Sequence, residues 1–97
     1  MDNFDKLIQR SYEAIRKRGL ITDSTTLDEF NKKMREELYE VEHEQFCVEN
    51  GQGHRLDNYV SECIDLANVC FMQVKKLGFD PVKEFEKCVI HQETRKD

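Results

Sequence analysis

The chain has no tryptophan, one proline and four glycines in 97 residues. So few breakers exclude a loop-rich or proline-structured protein and leave long uninterrupted segments. No apolar run approaches the roughly 18 to 20 residues of a bilayer span. The amino terminus, MDNFDKLIQR, lacks the basic and apolar regions of a signal peptide, so the expectation is a cytoplasmic chain that does not enter a membrane. Cations are in the minority: 15 lysines and arginines face 20 acids, for a net charge of -5, which leaves no general basic footprint for a nucleic-acid polymer. Disulfides are not expected either, because Cys47, Cys63, Cys70 and Cys88 have no short framework spacing and the expected compartment is reducing. What remains is a hydrophobic fraction of 38% with six phenylalanines and three tyrosines. That composition suits one globular domain over residues 1–97 with a modest core.

The breakers divide the chain into four helical segments. The first is predicted from Asp2 to Lys17, with Phe4, Leu7, Ile8, Tyr12 and Ile15 as its apolar stripe and Gly19 as its stop. Thr26 and Glu29 form a T-x-x-E capping box that opens the second, about 24 residues long, with Leu27, Phe30, Met34, Leu38 and Val41 on its apolar face. Asn50 to His54 reads as the most flexible linker. The third segment begins near Leu56 or Asp57 and continues to Leu77, and Gly78 closes it. Asp80 followed by Pro81 is a strong start signal for the fourth, which runs to about Thr94. No segment alternates as a strand does, and the short connections favour antiparallel neighbours. The fold expected is all-α, a four-helix bundle-like protomer.

Acids supply the chemistry. The run VSECIDLANVCFMQV, residues 60–74, contains only two charged residues, Glu62 and Asp65. Spaced i,i+3, they project from nearly the same helical face. Two carboxylates together in an apolar helix need a cation or a proton to neutralise them. The second helix offers Glu37 and Glu40 at the same spacing, with Glu36 and Glu44 close by. Two helices with an acidic pair each suggest a divalent metal site. A hard divalent cation, which prefers carboxylate oxygen and water, fits that donor set.

The pattern Glu36-Glu37-x-x-Glu40, followed after twenty-one residues by Glu62-x-x-Asp65, resembles the EExxE and ExxD signature of the MazG-like, all-α nucleoside triphosphate pyrophosphohydrolases. Lys33-Met34-Arg35 is similar to the family's lead-in to its glutamates, and Gly78-Phe79-Asp80-Pro81 falls where relatives start their last helix. The resemblance covers roughly residues 27 to 95. It implies that Glu37, Glu40, Glu62 and Asp65 bind magnesium, with manganese as a substitute, and that the reaction converts a nucleoside triphosphate to the monophosphate and pyrophosphate. Glu36 is the candidate for orienting or deprotonating the attacking water. Lys33, Lys75 and Arg95 are candidates for the phosphates, alongside Lys76. Arg95 stands in Gln92-Glu93-Thr94-Arg95, where relatives carry asparagine at the first position. Phe4, Tyr12 or Phe71 could stack on a base and Gln9 could read its edge. Family members usually assemble tightly, which implies a homodimer or homotetramer.

Other readings compete. The acids of the second helix can form a solvated, salt-bridged face, and Glu42 and Glu44 are assigned there. Cys63 and Cys70 read most simply as core residues. His43 with Cys47 and Cys88 with His91 have helical spacings that could serve zinc. A di-iron carboxylate bundle would need Glu-x-x-His pairs, which neither acidic helix supplies. The non-enzymatic alternative is a catalytically inactive helical module that binds nucleotide or a protein partner.

Overall fold

The computed structural model describes residues 2–95. About 82% of it is helical, in four α-helices and a 3-10 turn, with no strand among the described residues. They are α1 (Asp2–Lys17), α2 (Leu27–Glu49), α3 (Leu56–Lys76) and α4 (Pro81–Thr94). The chain forms two compact units, residues 24–70 and a second unit made of the segments up to 23 and from 71 onward. Residues 56–70 of α3 belong to the first unit and 71–76 to the second.

The helix boundaries follow local chemistry. Thr26 caps α2 by accepting a hydrogen bond from the Glu29 amide at 3.1 Å, and its hydroxyl meets Glu29 Oε1 at 3.3 Å. Asp80 Oδ1 accepts from the amides of Val82 at 3.0 Å and Lys83 at 3.3 Å, with Pro81 at the first helical position. α3 ends in a Schellman turn: Gly78 donates to the Lys75 carbonyl at 2.9 Å and Phe79 to Val74 at 3.2 Å. This turn puts Gly78 at φ 93°, a conformation that glycine adopts without steric cost.

In the 24–70 unit, α2 and α3 run antiparallel. Met34 Sδ near the start of α2 lies 3.4 Å from Cys70 Sγ late in α3, while Glu44 near the end of α2 holds Arg55 just before α3 begins. The buried residues of α2 are Phe30, Glu37, Val41, Glu44 and Cys47. That stripe differs from the expected one, because Leu27 and Leu38 are exposed and two glutamates face inward. α3 departs further from expectation. Its one buried residue is Met72, whereas Leu56, Val60 and Ile64 are exposed. Cys63 is half-buried and Cys70 exposed, so the core assignment fails for Cys70.

The segment expected to be the most flexible linker contains a 3-10 turn, Gly53–Arg55. Arg55 is tied down: its Nε lies 2.9 Å from Glu44 Oε1 and its Nη2 2.6 Å from Oε2. This bidentate pair corrects the placement of Glu44 on a solvated face, since Glu44 is buried at 7% exposure. Glu42 is exposed, as expected.

In the other unit, Phe4, Phe71 and Phe85 form a triangle with centroids 5.8 to 6.5 Å apart. Ile8, Ile21 and Met72 are buried in this unit, whereas Leu7, expected on the apolar stripe of α1, is exposed. Arg16 closes the loop after α1 by pairing with Asp23 at 2.8 Å.

Breaking a buried pair leaves a desolvated charge, whereas replacing both partners with apolar groups removes the cost. Urea titration should therefore show Arg55→Ala to be clearly less stable than the double variant Arg55→Met, Glu44→Leu. Equal stabilities would refute a desolvated Glu44.

Candidate metal centre

The α2 and α3 backbones bring three of the four expected ligands together. Glu37 and Glu40 are one helical turn apart on α2, and Glu62 comes from the antiparallel α3. Each offers an oxygen within 4.8 Å of the others. Opposite ligands of one magnesium stand about 4.2 Å apart, so little adjustment would bring these oxygens to a single ion. Asp65 is exposed and outside this trio, although its charge acts on Glu62.

The trio differs from an ordinary acidic surface in its burial. Glu37 is 7% exposed, Glu62 is half-buried and Glu40 is exposed. One oxygen of Glu37 and one of Glu62, Oε2 in each, are buried without a hydrogen-bond partner. A buried carboxylate oxygen without a donor is costly and native proteins rarely keep one, so these two oxygens fit a cation. The other Glu37 oxygen, Oε1, meets Lys33 Nζ at 3.1 Å, and Lys33 also lies 3.9 Å from Glu36 Oε2. The ammonium's own pKa is raised by this hydrogen bond with Glu37, with Glu36 and Glu40 adding to it.

Like charge has the opposite effect on Glu62. A side-chain hydrogen bond with Glu40 raises its pKa most, followed by desolvation and by the charges of Glu40, Asp65 and Glu37. Without a cation, Glu62 tends to keep its proton and to donate a hydrogen bond through it to Glu40.

Glu36 is exposed on the outer side of α2, beside Lys33. Lys32, Arg35, Glu36, Tyr39 and Glu40 line a shallow concavity of about 500 Å³, which shares Glu40 with the trio. The pairing of free cations with an aromatic ring beside Glu40 did not stand out in the sequence. Spacing could have revealed it, because the five residues follow i, i+3, i+4, i+7, i+8.

Lys75 and Arg95, the other phosphate candidates, belong to the second unit. Lys75 Nζ stands 5.5 Å over the Tyr12 ring, and Arg95 follows the last turn of α4. Gln9 and Lys75 line a concavity of about 530 Å³ with Lys6, Phe79 and Asp80. Lys76 donates to the Asp23 carbonyl at 3.4 Å. Phe4 and Phe71 stack with each other and with Phe85, which uses them in packing.

The sulfur-containing candidates do not make a centre. His43 Nε2 lies 3.8 Å from Cys47 Sγ, yet His43, Cys47, Cys88 and His91 join no group of three or more potential ligands among the described residues. No described helix is long and apolar enough to cross a membrane. Comparison with known protein families, curated proteins and solved structures returns no match to this chain.

A carboxyl whose folded pKa is raised stabilises the fold while protonated, and that contribution is lost as pH rises from the ordinary glutamate range through the folded value. Glu62→Gln imitates the protonated form. In EDTA at neutral pH its Tm should exceed that of the wild type, and the two should converge as pH falls below the glutamate range. Magnesium should raise the wild-type Tm and leave Glu62→Gln nearly unmoved. A variant that responds to magnesium as strongly as the wild type would remove Glu62 from the site.

Proposed function

We propose that the chain is a magnesium-dependent nucleoside triphosphate pyrophosphohydrolase of the MazG-like type, releasing pyrophosphate and a nucleoside monophosphate. The observation that carries the reading is the convergence of Glu37, Glu40 and Glu62 from two helices, with an unpartnered buried oxygen on each of Glu37 and Glu62. Both helices stand out in the sequence for their acids, and the trio matches three of the four positions implied by EExxE and ExxD.

Glu37, Glu40 and Glu62 would hold the ion, and Asp65 on the next turn of α3 would serve a second ion or its waters. Bound magnesium supplies Lewis acidity, which lowers the pKa of water and offsets charge gathering on phosphate oxygens. The protein's share is positioning. Glu36, exposed on the turn that carries Glu37 and Glu40, can accept a proton from a water in the shared concavity or orient it. Lys33, Lys32 and Arg35 put three cations on the same stretch of α2, to which a polyphosphate can dock after the ion has offset the acidic field.

Self-association into a dimer or tetramer belongs to the same reading, since Leu56, Val60 and Ile64 leave an apolar stripe of α3 open to solvent. That stripe, with Tyr39 at 71% and Phe46 at 64% exposure, is also what an inactive interaction module would display.

Purified protein incubated with magnesium and a panel of ribo-, deoxyribo- and modified nucleoside triphosphates should release pyrophosphate and monophosphate in equal amounts. Glu62→Gln should lower the rate at least about a hundredfold, as expected on losing a metal ligand. Folded protein that releases pyrophosphate from none of these nucleotides would favour the inactive helical module.

A further inference from the structure

We infer that Lys33 is the resident counter-cation of the glutamate cluster, and that a divalent ion has to displace its ammonium from Glu37, so that this lysine sets how readily the site loads. The inference rests on the metal-site reading above and adds a control to it.

Three observations lead there. First, the Glu37 side chain is 9% exposed, and among the described residues Lys33 is the cation paired with it, at 3.1 Å from Oε1. Burying a carboxylate this far without a partner is costly, so the pair answers a need of the fold. Second, the ammonium also lies 3.9 Å from Glu36 Oε2 and feels the charge of Glu40, which places it within the field of the carboxylates that would ligate the ion. A dication bound to Glu37 and Glu40 would therefore repel it at short range. Third, Lys33 can leave once a dication takes over the neutralisation of Glu37. Its side chain is 53% exposed, it sits one turn from Glu37 on the same helix, and an i,i+4 pair open to water is weak.

Displacement has a consequence for the ligand. An ammonium released from Glu37 remains tethered to the turn of α2 beside Lys32 and Arg35, where a triphosphate arriving with the ion can take it up. Ion and polyphosphate then load together, each favouring the other, because the anion holds the cation that the metal has displaced.

Manganese binding followed by electron paramagnetic resonance, without nucleotide, tests this on the wild type, Lys33→Gln and Lys33→Arg, with circular dichroism to confirm equal helicity. Lys33→Gln should bind manganese about tenfold more tightly than the wild type. Lys33→Arg, which keeps the charge, should stay close to the wild type, and the gap between glutamine and lysine should narrow as salt is raised. Addition of tripolyphosphate should tighten manganese binding more in the wild type than in Lys33→Gln. If the wild type binds manganese and Lys33→Gln binds it equally or more weakly, the counter-cation role is wrong while the metal site stands. If neither protein binds manganese, the metal-site reading fails and this inference fails with it.

Discussion

The arrangement of residues 24–70 depends on keeping two glutamates inside the seam between α2 and α3. Glu37 and Glu44 occupy positions that a helical pair usually gives to leucine, flanked on the same stripe by Phe30, Val41 and Cys47. Each desolvated carboxylate needs a cation or a proton. Glu44 is satisfied by a permanent one, the bidentate guanidinium of Arg55, which also fixes the 3-10 turn at the start of α3. Glu37 is only half satisfied. Lys33 takes one oxygen and the other remains buried without a partner, beside Glu62, whose own Oε2 is in the same state.

That asymmetry separates a structural acid from a chemical one. The guanidinium of Arg55 covers both oxygens of Glu44 and holds its pKa below the ordinary glutamate range, so this pair resists mild acid and offers nothing to a ligand. Around Glu37 the charges repel instead, and Glu62 is driven toward its neutral form first by Glu40. An unfilled demand for positive charge is what a cation site looks like before its ion is considered. The proposed function rests on this electrostatic imbalance beside the paired Glu44 and Arg55.

Much of the fold was legible in the sequence because it is locally determined. Thr26, Asp80 with Pro81, Gly19 and Gly78 mark helix ends by chemistry acting over three or four residues, and α1 and α4 have the predicted bounds. The candidate acids were legible because Glu62 and Asp65 interrupt an apolar run, although only Glu62 joins the trio. The packing was less so. A hydropathy-based stripe turned Leu27 and Leu38 inward and Glu44 outward, since no local rule reveals that Arg55, eleven residues away, can neutralise a buried glutamate. The run around Glu62 is apolar enough to suggest a buried helix, yet Val60 and Ile64 face solvent. Burial depends on which neighbours a helix meets, and periodicity does not contain that information.

The central claim is that one divalent ion binds between α2 and α3 on Glu37, Glu40 and Glu62. Paramagnetic broadening of backbone amide signals by sub-stoichiometric manganese tests it residue by residue in the wild-type protein. Signal loss is expected first and most strongly at residues near 37, 40 and 62, weakening with distance from them along α2 and α3. Uniform broadening, or loss centred on any other cluster of acids, would contradict it.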